Sequence, residues 1–240
     1  MELPWFKREY ARGLRDFERR GLEGLRFHGM RLQDCRFGGS RAAHSDWALS
    51  SLTDCDFRNA DLTGASFSRA SLSRVWFAGA ITTGWNLRDV VARDCDLRGL
   101  DLAGVDLREA TLESCDLSGL DLRVVSGLHS TNLRLAKLVD CILERQYLAG
   151  CDLTAAVLTG ADLRGADLSF AQLAGADLRN ASLAGANLFA ADLSRADLRD
   201  TSLAGANLTD TILDRSNLSG ADLTDVIGSP KGGLSAAVLG

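Results

Sequence analysis

The residues of this chain that could do chemistry are six cysteines, three histidines and a dense run of carboxylates. Zinc-binding cysteines come in closely spaced pairs, and Cys35, Cys55, Cys95, Cys115, Cys141 and Cys151 show neither that spacing nor an accompanying histidine. His28, His44 and His129 are far apart. His44-Ser45-Asp46 are neighbours in sequence, but a catalytic triad assembles in space and adjacency carries no weight. No glycine-rich phosphate loop or dinucleotide fingerprint is present. Asp94, Asp96, Asp101, Asp106, Glu109, Glu113, Asp116 and Asp121 meet only Arg98 and Arg108 between residues 94 and 121, a local charge of −6 in a chain of net charge −5. Paired acids in a cleft would serve acid–base catalysis, whereas acids spread over an outer surface attract a basic partner. These observations predict a protein that is not an enzyme and uses no metal or cofactor. With arginine dispersed among aspartate and no basic stripe, they also predict no direct binding of nucleic acid.

What positions these residues is a period of five. Leu or Phe fills 17 of the 21 positions taken in steps of five from Leu22 to Leu122, and all 19 from Leu133 to Leu223. Five fits neither the helical period nor a continuous strand alternation, so the chain must be a stacked solenoid. The Leu/Phe position, the centre of each unit, points inward, and so does the small residue two before it. The other three are mostly Asp, Asn, Ser, Thr, Arg and Gly, as an outer surface requires. All six cysteines occupy the minus-two slot, where they behave as small buried hydrophobes and are expected to be structural free thiols.

Units such as Ala161-Asp162-Leu163-Arg164-Gly165 resemble those of the pentapeptide-repeat proteins, and the resemblance covers about residues 22–227. It implies an all-β solenoid, a right-handed quadrilateral β-helix with four pentapeptides per coil. Roughly ten coils would follow, on the order of 50 Å at about 4.8 Å each. Twenty-residue coils would stack Cys35 on Cys55, Cys95 on Cys115, Asp96 beside Asp116 and Asp101 beside Asp121. Family members of the fluoroquinolone-resistance type mimic DNA and bind DNA gyrase or topoisomerase IV. The resemblance is to their loop-free forms, so it implies a DNA-mimicking regulator of a type II topoisomerase acting through the acidic run. The alternative is a rigid interaction scaffold that docks a partner through its N-terminal helix or through Trp76 and Trp85.

The sequence divides into a helical cap (1–21), a first repeat segment (22–123), a one-residue register slip (124–132), a second repeat segment (133–227) and a flexible tail (228–240). Pro4 in a first turn and the stripe Phe6, Tyr10, Leu14 and Phe17 predict a helix over residues 4–20 that covers the first coil. No such helix closes the other end, which predicts a homodimer through the C-terminal coil, with Leu218, Leu223 and Val226 at the contact. Trp85 stands in a slot meant for a small residue, between the undersized centres Thr82 and Ala92, and predicts a bulge over residues 80–93. No apolar run is long enough to span a membrane. Without a signal peptide, the expected location is cytoplasmic and reducing.

Overall fold

The computed structural model describes residues 2–233, 237 and 238. Two compact units are present, Met1–Asp116 with Val124–Ser126, and Leu117–Arg123 with Gly127–Gly240. Within each, residues pair in parallel with those about twenty positions on, in four columns that correspond to four faces. One face of the first unit is regular enough to form strands: β1 (Arg31–Gln33), β2 (Ser51–Thr53), β3 (Ser71–Ser73), β4 (Val91–Arg93) and β5 (Thr111–Glu113) stack in that order. This ladder covers four coil-to-coil steps, fewer than ten coils would provide. Isolated bridges hold the other faces and the second unit.

The five-residue period follows from where the backbone N–H groups go, as the unit Ala161–Gly165 shows. The Ala161 N–H closes a turn onto Leu158 O (3.0 Å), while Asp162 reaches back one coil to Cys141 O (2.9 Å). Leu163 and Gly165 reach forward one coil to Ser182 O (2.7 Å) and Ala184 O (2.9 Å). The fifth N–H, that of Arg164, donates to the Asp162 carboxylate itself (3.2 Å). Every donor is satisfied, and the last one needs an Asp or Asn just before the centre. A residue that reads as generic surface polarity is therefore part of the backbone scaffold.

The last residue of each unit turns the corner in the left-handed region. Gly takes this slot often, but Asp140, Ala155 and Asn180 hold it at φ of 54°, 55° and 58°. An L-residue there costs about 1–2 kcal/mol relative to its usual conformation, a cost glycine avoids. Ala155→Gly is therefore expected to stabilise the second unit by roughly 0.5–1 kcal/mol, opposite to the effect of that change in a helix or strand. Urea denaturation of the variant measures it, and a loss of stability would contradict the conformational argument.

At the N-terminus, α1 (Leu3–Ala11) has Pro4 in its first turn, and its C-cap Arg12 donates to Arg8 O and Glu9 O. It is shorter than the expected helix because Gly13, at φ 98°, ends it. Phe17 already belongs to the first coil, where Asp16 pairs with Arg36. Phe6 alone of α1 is fully buried, with its ring 4.4 Å from Phe17 and 4.9 Å from Phe27. Aromatic centres continue up the first unit, with Trp47 stacked on Phe27 at 3.9 Å, whereas the second unit is filled by leucine.

The expected bulge over 80–93 is absent. Trp85 is only 3% exposed, and the pairings Asp61–Ile81 and Ser66–Asn86 continue past it. Thr82 and Ala92 leave the volume that the indole fills, edge-on to Phe67 (5.3 Å) and Phe77 (5.0 Å). A register slip lies beside Gly127. Gly127 takes φ 86°, a 3-10 turn occupies Leu128–Ser130, and the pairing offset changes from twenty at Asp106–Ser126 to twenty-one at Asp121–Ile142.

The tail is not the free linker expected. Lys231 N–H donates to Thr211 O (2.8 Å), Val238 N–H to Ser216 O (2.8 Å), and Leu218 N–H to Val238 O (2.9 Å). These contacts set part of the tail along the last coil. Of the expected tail (228–240), residues 234–236, 239 and 240 lie outside the described residues.

Candidate interaction surface

Among the described residues no group of histidine, cysteine, aspartate and glutamate could hold a metal ion, and no helix is long and apolar enough to cross a membrane.

Of the acidic run, Asp94 to Asp116 belong to the first unit and Asp121 to the second. Asp96 and Asp116 pair on adjacent coils of one face, as expected. Asp96, Asp101, Asp106 and Asp121 each accept the N–H two residues on, at 3.0–3.1 Å, which fixes their side chains. Three of the four are then clamped by the arginine at that same position. The Arg98, Arg108 and Arg123 guanidiniums meet Asp96, Asp106 and Asp121 at 2.8, 2.5 and 2.7 Å. Each clamp holds its carboxylate below the ordinary range, chiefly through the arginine hydrogen bond. The motif recurs as Asp162–Arg164, Asp177–Arg179 and Asp197–Arg199 in the second unit. Its sequence signal is Asp-Leu-Arg, with the two charged side chains both outside the core and close enough to close on each other.

Glu113 is met from the neighbouring coil by Arg93 at 3.0 Å, and Arg98 also lies 3.8 Å from Asp116. Glu109 and Asp94 occupy left-handed corner slots at φ 59° and 55°. Asp94 and Asp101 have no ion-pair partner among the described residues; Arg74, within electrostatic reach of Asp94, is held by Asp54 in a two-pronged pair at 2.6 and 2.8 Å. The acidic run is thus less bare than its composition suggests, though still in excess. Residues 93–123 carry −4 after the two flanking arginines are counted.

Trp76 is 38% exposed, between Asp56 and Asp96 in its bridge column, and is available to a partner. Trp85 is not, because it is core. Of the expected dimer contacts, Leu218 is buried and so cannot serve, while Leu223 and Val226 are half-buried beside the exposed Ile227. Sequence reasoning missed two exposed aromatic residues of the second unit, Tyr147 and Phe170. Tyr147 lies against His129 (5.1 Å), and Phe170 is edge-on to Phe189 (5.3 Å). Phe170 and Phe189 sit in slots usually polar, which was the available signal.

The model of pentapeptide repeats matches residues 31–69, 50–81, 70–108, 93–123, 128–165, 166–203 and 191–227. The chain belongs to the pentapeptide repeat family. The break in the matches, between 123 and 128, coincides with the register slip. Comparison with curated proteins returns no match. Among solved structures, this pentapeptide repeat protein is similar to HetL from the cyanobacterium Nostoc sp. strain PCC 7120, a pentapeptide repeat protein involved in regulating heterocyst differentiation. The identity is 28%, with 100% of this chain and 97% of HetL covered at a TM-score of 0.42. It is also similar to a trypsin-treated form of QnrB1, a plasmid-mediated fluoroquinolone resistance protein, at 16% identity, 88% and 84% coverage and a TM-score of 0.33. Rfr23 from the cyanobacterium Cyanothece 51142 shows 26% identity over 58% of this chain and 91% of its own, with a TM-score of 0.25.

Proposed function

We propose that this pentapeptide repeat protein is a non-catalytic binding protein that engages a partner with a basic surface through its acidic run. A type II topoisomerase, gyrase or topoisomerase IV, is the partner that the family resemblance implies, reached by mimicry of DNA charge. The observation that carries this reading is the pair Asp94 and Asp101, carboxylates without an ion-pair partner among the described residues, held in fixed backbone positions within a stretch of net negative charge. Fixed, unneutralised charges speed and orient encounter with an opposite charge, and the attraction weakens with salt.

The scaffold supplies a clean variant. Asn retains the oxygen that accepts the Ala103 N–H and tolerates the left-handed corner at residue 94. Asp94→Asn with Asp101→Asn should therefore remove charge and leave the fold unchanged. In a gyrase supercoiling assay, the native protein is expected to inhibit at micromolar concentration, less so at raised salt. The double variant should inhibit about 5–10-fold more weakly, a loss of roughly 1–1.4 kcal/mol. No effect of the native protein on either enzyme would exclude the topoisomerase as partner.

A second reading, docking through an aromatic anchor, is favoured by the exposure of Trp76. It predicts partner capture that survives salt and is lost in Trp76→Ala. Self-association completes the proposal: the half-buried Leu223 and Val226 and the exposed Ile227 would be covered by a second copy at the C-terminal coil. Light scattering at micromolar concentration should give a dimer mass, which Ile227→Asp should halve. A monomer in the native protein would remove this part of the proposal.

A further inference from the structure

Positions 35, 55, 75, 95 and 115 form one inward column of the first unit, each beside a residue of the bridge series Arg36, Asp56, Trp76, Asp96 and Asp116. The column reads Cys, Cys, Val, Cys, Cys, and all five are buried. It holds two stacked thiol pairs separated by Val75. Each thiol donates to a carbonyl of its own coil, Cys35 to Gln33 O (3.4 Å), Cys55 to Thr53 O (3.3 Å), Cys95 to Arg93 O (3.3 Å) and Cys115 to Glu113 O (3.7 Å), so the two sulfurs of a pair face one another with no hydrogen bond between them. The backbones are tied as well: Asp56 N–H donates to Cys35 O and Asp116 N–H to Cys95 O, both at 2.9 Å. The other two cysteines do not stack on a cysteine. Cys141, beside Ile142, stands between Leu120 and Ala161, and Cys151 donates to Thr131 O at 3.2 Å.

We propose that Cys35–Cys55 and Cys95–Cys115 are oxidation sites, at which hydrogen peroxide converts each stacked thiol pair into a disulfide between adjacent coils. One thiolate attacks the peroxide, forming a sulfenic acid and releasing hydroxide. The second sulfur then displaces the sulfenic oxygen as water, and the S–S bond forms. Per bond, two thiols and one peroxide give one disulfide and two waters; the thiols lose two electrons and the peroxide gains them.

Geometry selects these pairs. Adjacent parallel coils lie about 4.8 Å apart, inside the Cα range of roughly 4.4–6.8 Å that a disulfide spans. The usual Cβ separation in a disulfide is nearer about 3.8 Å, so closing the bond draws the two coils together. A bond closed under such strain is readily reduced, which makes the conversion reversible. The neighbouring thiol also splits the ionisation of each pair: interaction with it lowers the pKa of Cys55 and of Cys95 and raises that of their partners. Cys151, without such a partner, is pushed up to about 12 by burial and is inert. Access differs between the pairs. Cys35 borders a surface opening lined by Asp54, Asp56, Arg58 and Trp76, so Cys35–Cys55 should react first.

The test exposes the native full-length chain to hydrogen peroxide, then alkylates the remaining thiols under denaturing conditions and maps them by mass spectrometry. The six free cysteines should fall to Cys141 and Cys151 alone. Cross-linked peptides should join 35 to 55 and 95 to 115, and dithiothreitol should restore all thiols. Cys55→Val, which places in the column the residue it already carries at 75, should protect Cys35 while Cys95–Cys115 still closes. Cys115→Val should do the converse. The proposal is overturned if the native protein keeps all its thiols at peroxide levels that oxidise the urea-unfolded chain. Cross-links that include Cys141 or Cys151, or loss of Cys35 unaffected by Cys55→Val, overturn it equally.

Discussion

Phe6→Ala is expected to destabilise the first unit by about 3–5 kcal/mol, an effect out of proportion to one residue near a chain end. Phe6 is fully buried, with rings of Phe17 at 4.4 Å, Phe27 at 4.9 Å and Phe37 at 6.2 Å around it. No other residue of α1 is buried, so truncating Phe6 leaves the helix little apolar surface with which to hold its place. The exposed first coil would then fray, because a solenoid repeat is stable only against a neighbour. Tyr10 provides a second, weaker anchor by accepting the Gln33 N–H (3.1 Å), and Tyr10→Phe should cost only about 1 kcal/mol. Urea denaturation gives both values. Amide exchange of Leu22, whose N–H bonds Arg41 O across coils, reports the local opening. A Phe6→Ala protein with native stability would mean that α1 is no cap, and would return the helix to the list of docking elements.

The period of five carried the fold class because one slot repeats without exception over the second unit and with few exceptions over the first. The same logic failed at Trp85. Each slot was weighed against its own consensus, whereas volume in a packed core is shared between slots. Thr82 and Ala92 were legible as undersized and Trp85 as oversized, but only the three-dimensional stack shows that they compensate. The acidic run was legible as composition and not as chemistry. That Asp162 accepts the Arg164 N–H and then its guanidinium depends on a turn whose geometry the five-residue pattern does not print. For the same reason the run's net charge predicts a stronger field than its clamped carboxylates deliver, and Asp94 and Asp101 are distinguished from the others only by their surroundings. The tail misled because Gly232 and Gly233 read as a linker, although glycine is also what an off-register coil of offset nineteen and twenty-one requires.

Leu168→Ala is expected to cost the second unit about 2–5 kcal/mol, and the rigidity of the coil places it in the upper half of that range. Leu168 is fully buried, with Leu148 and Leu188 in the adjacent coils, also buried. The coils cannot close over the void. Their separation is set by the backbone bonds Leu148 to Asp167 O (2.7 Å) and Leu168 to Asn187 O (2.8 Å), which would have to break first. The first unit shows how such a loss is compensated: its undersized centre Thr82 is followed three residues later by Trp85. Ala171 holds the equivalent position after Leu168. Adding Ala171→Trp to Leu168→Ala should therefore recover part of the stability, while Ala171→Trp alone should destabilise by about 1–3 kcal/mol through overpacking. Thermal and urea unfolding of the three variants form a double-mutant cycle with a favourable coupling. A Leu168→Ala variant that unfolds like the native protein would overturn the inward register of the leucines, and additive costs in the double variant would overturn the shared-volume account of Trp85.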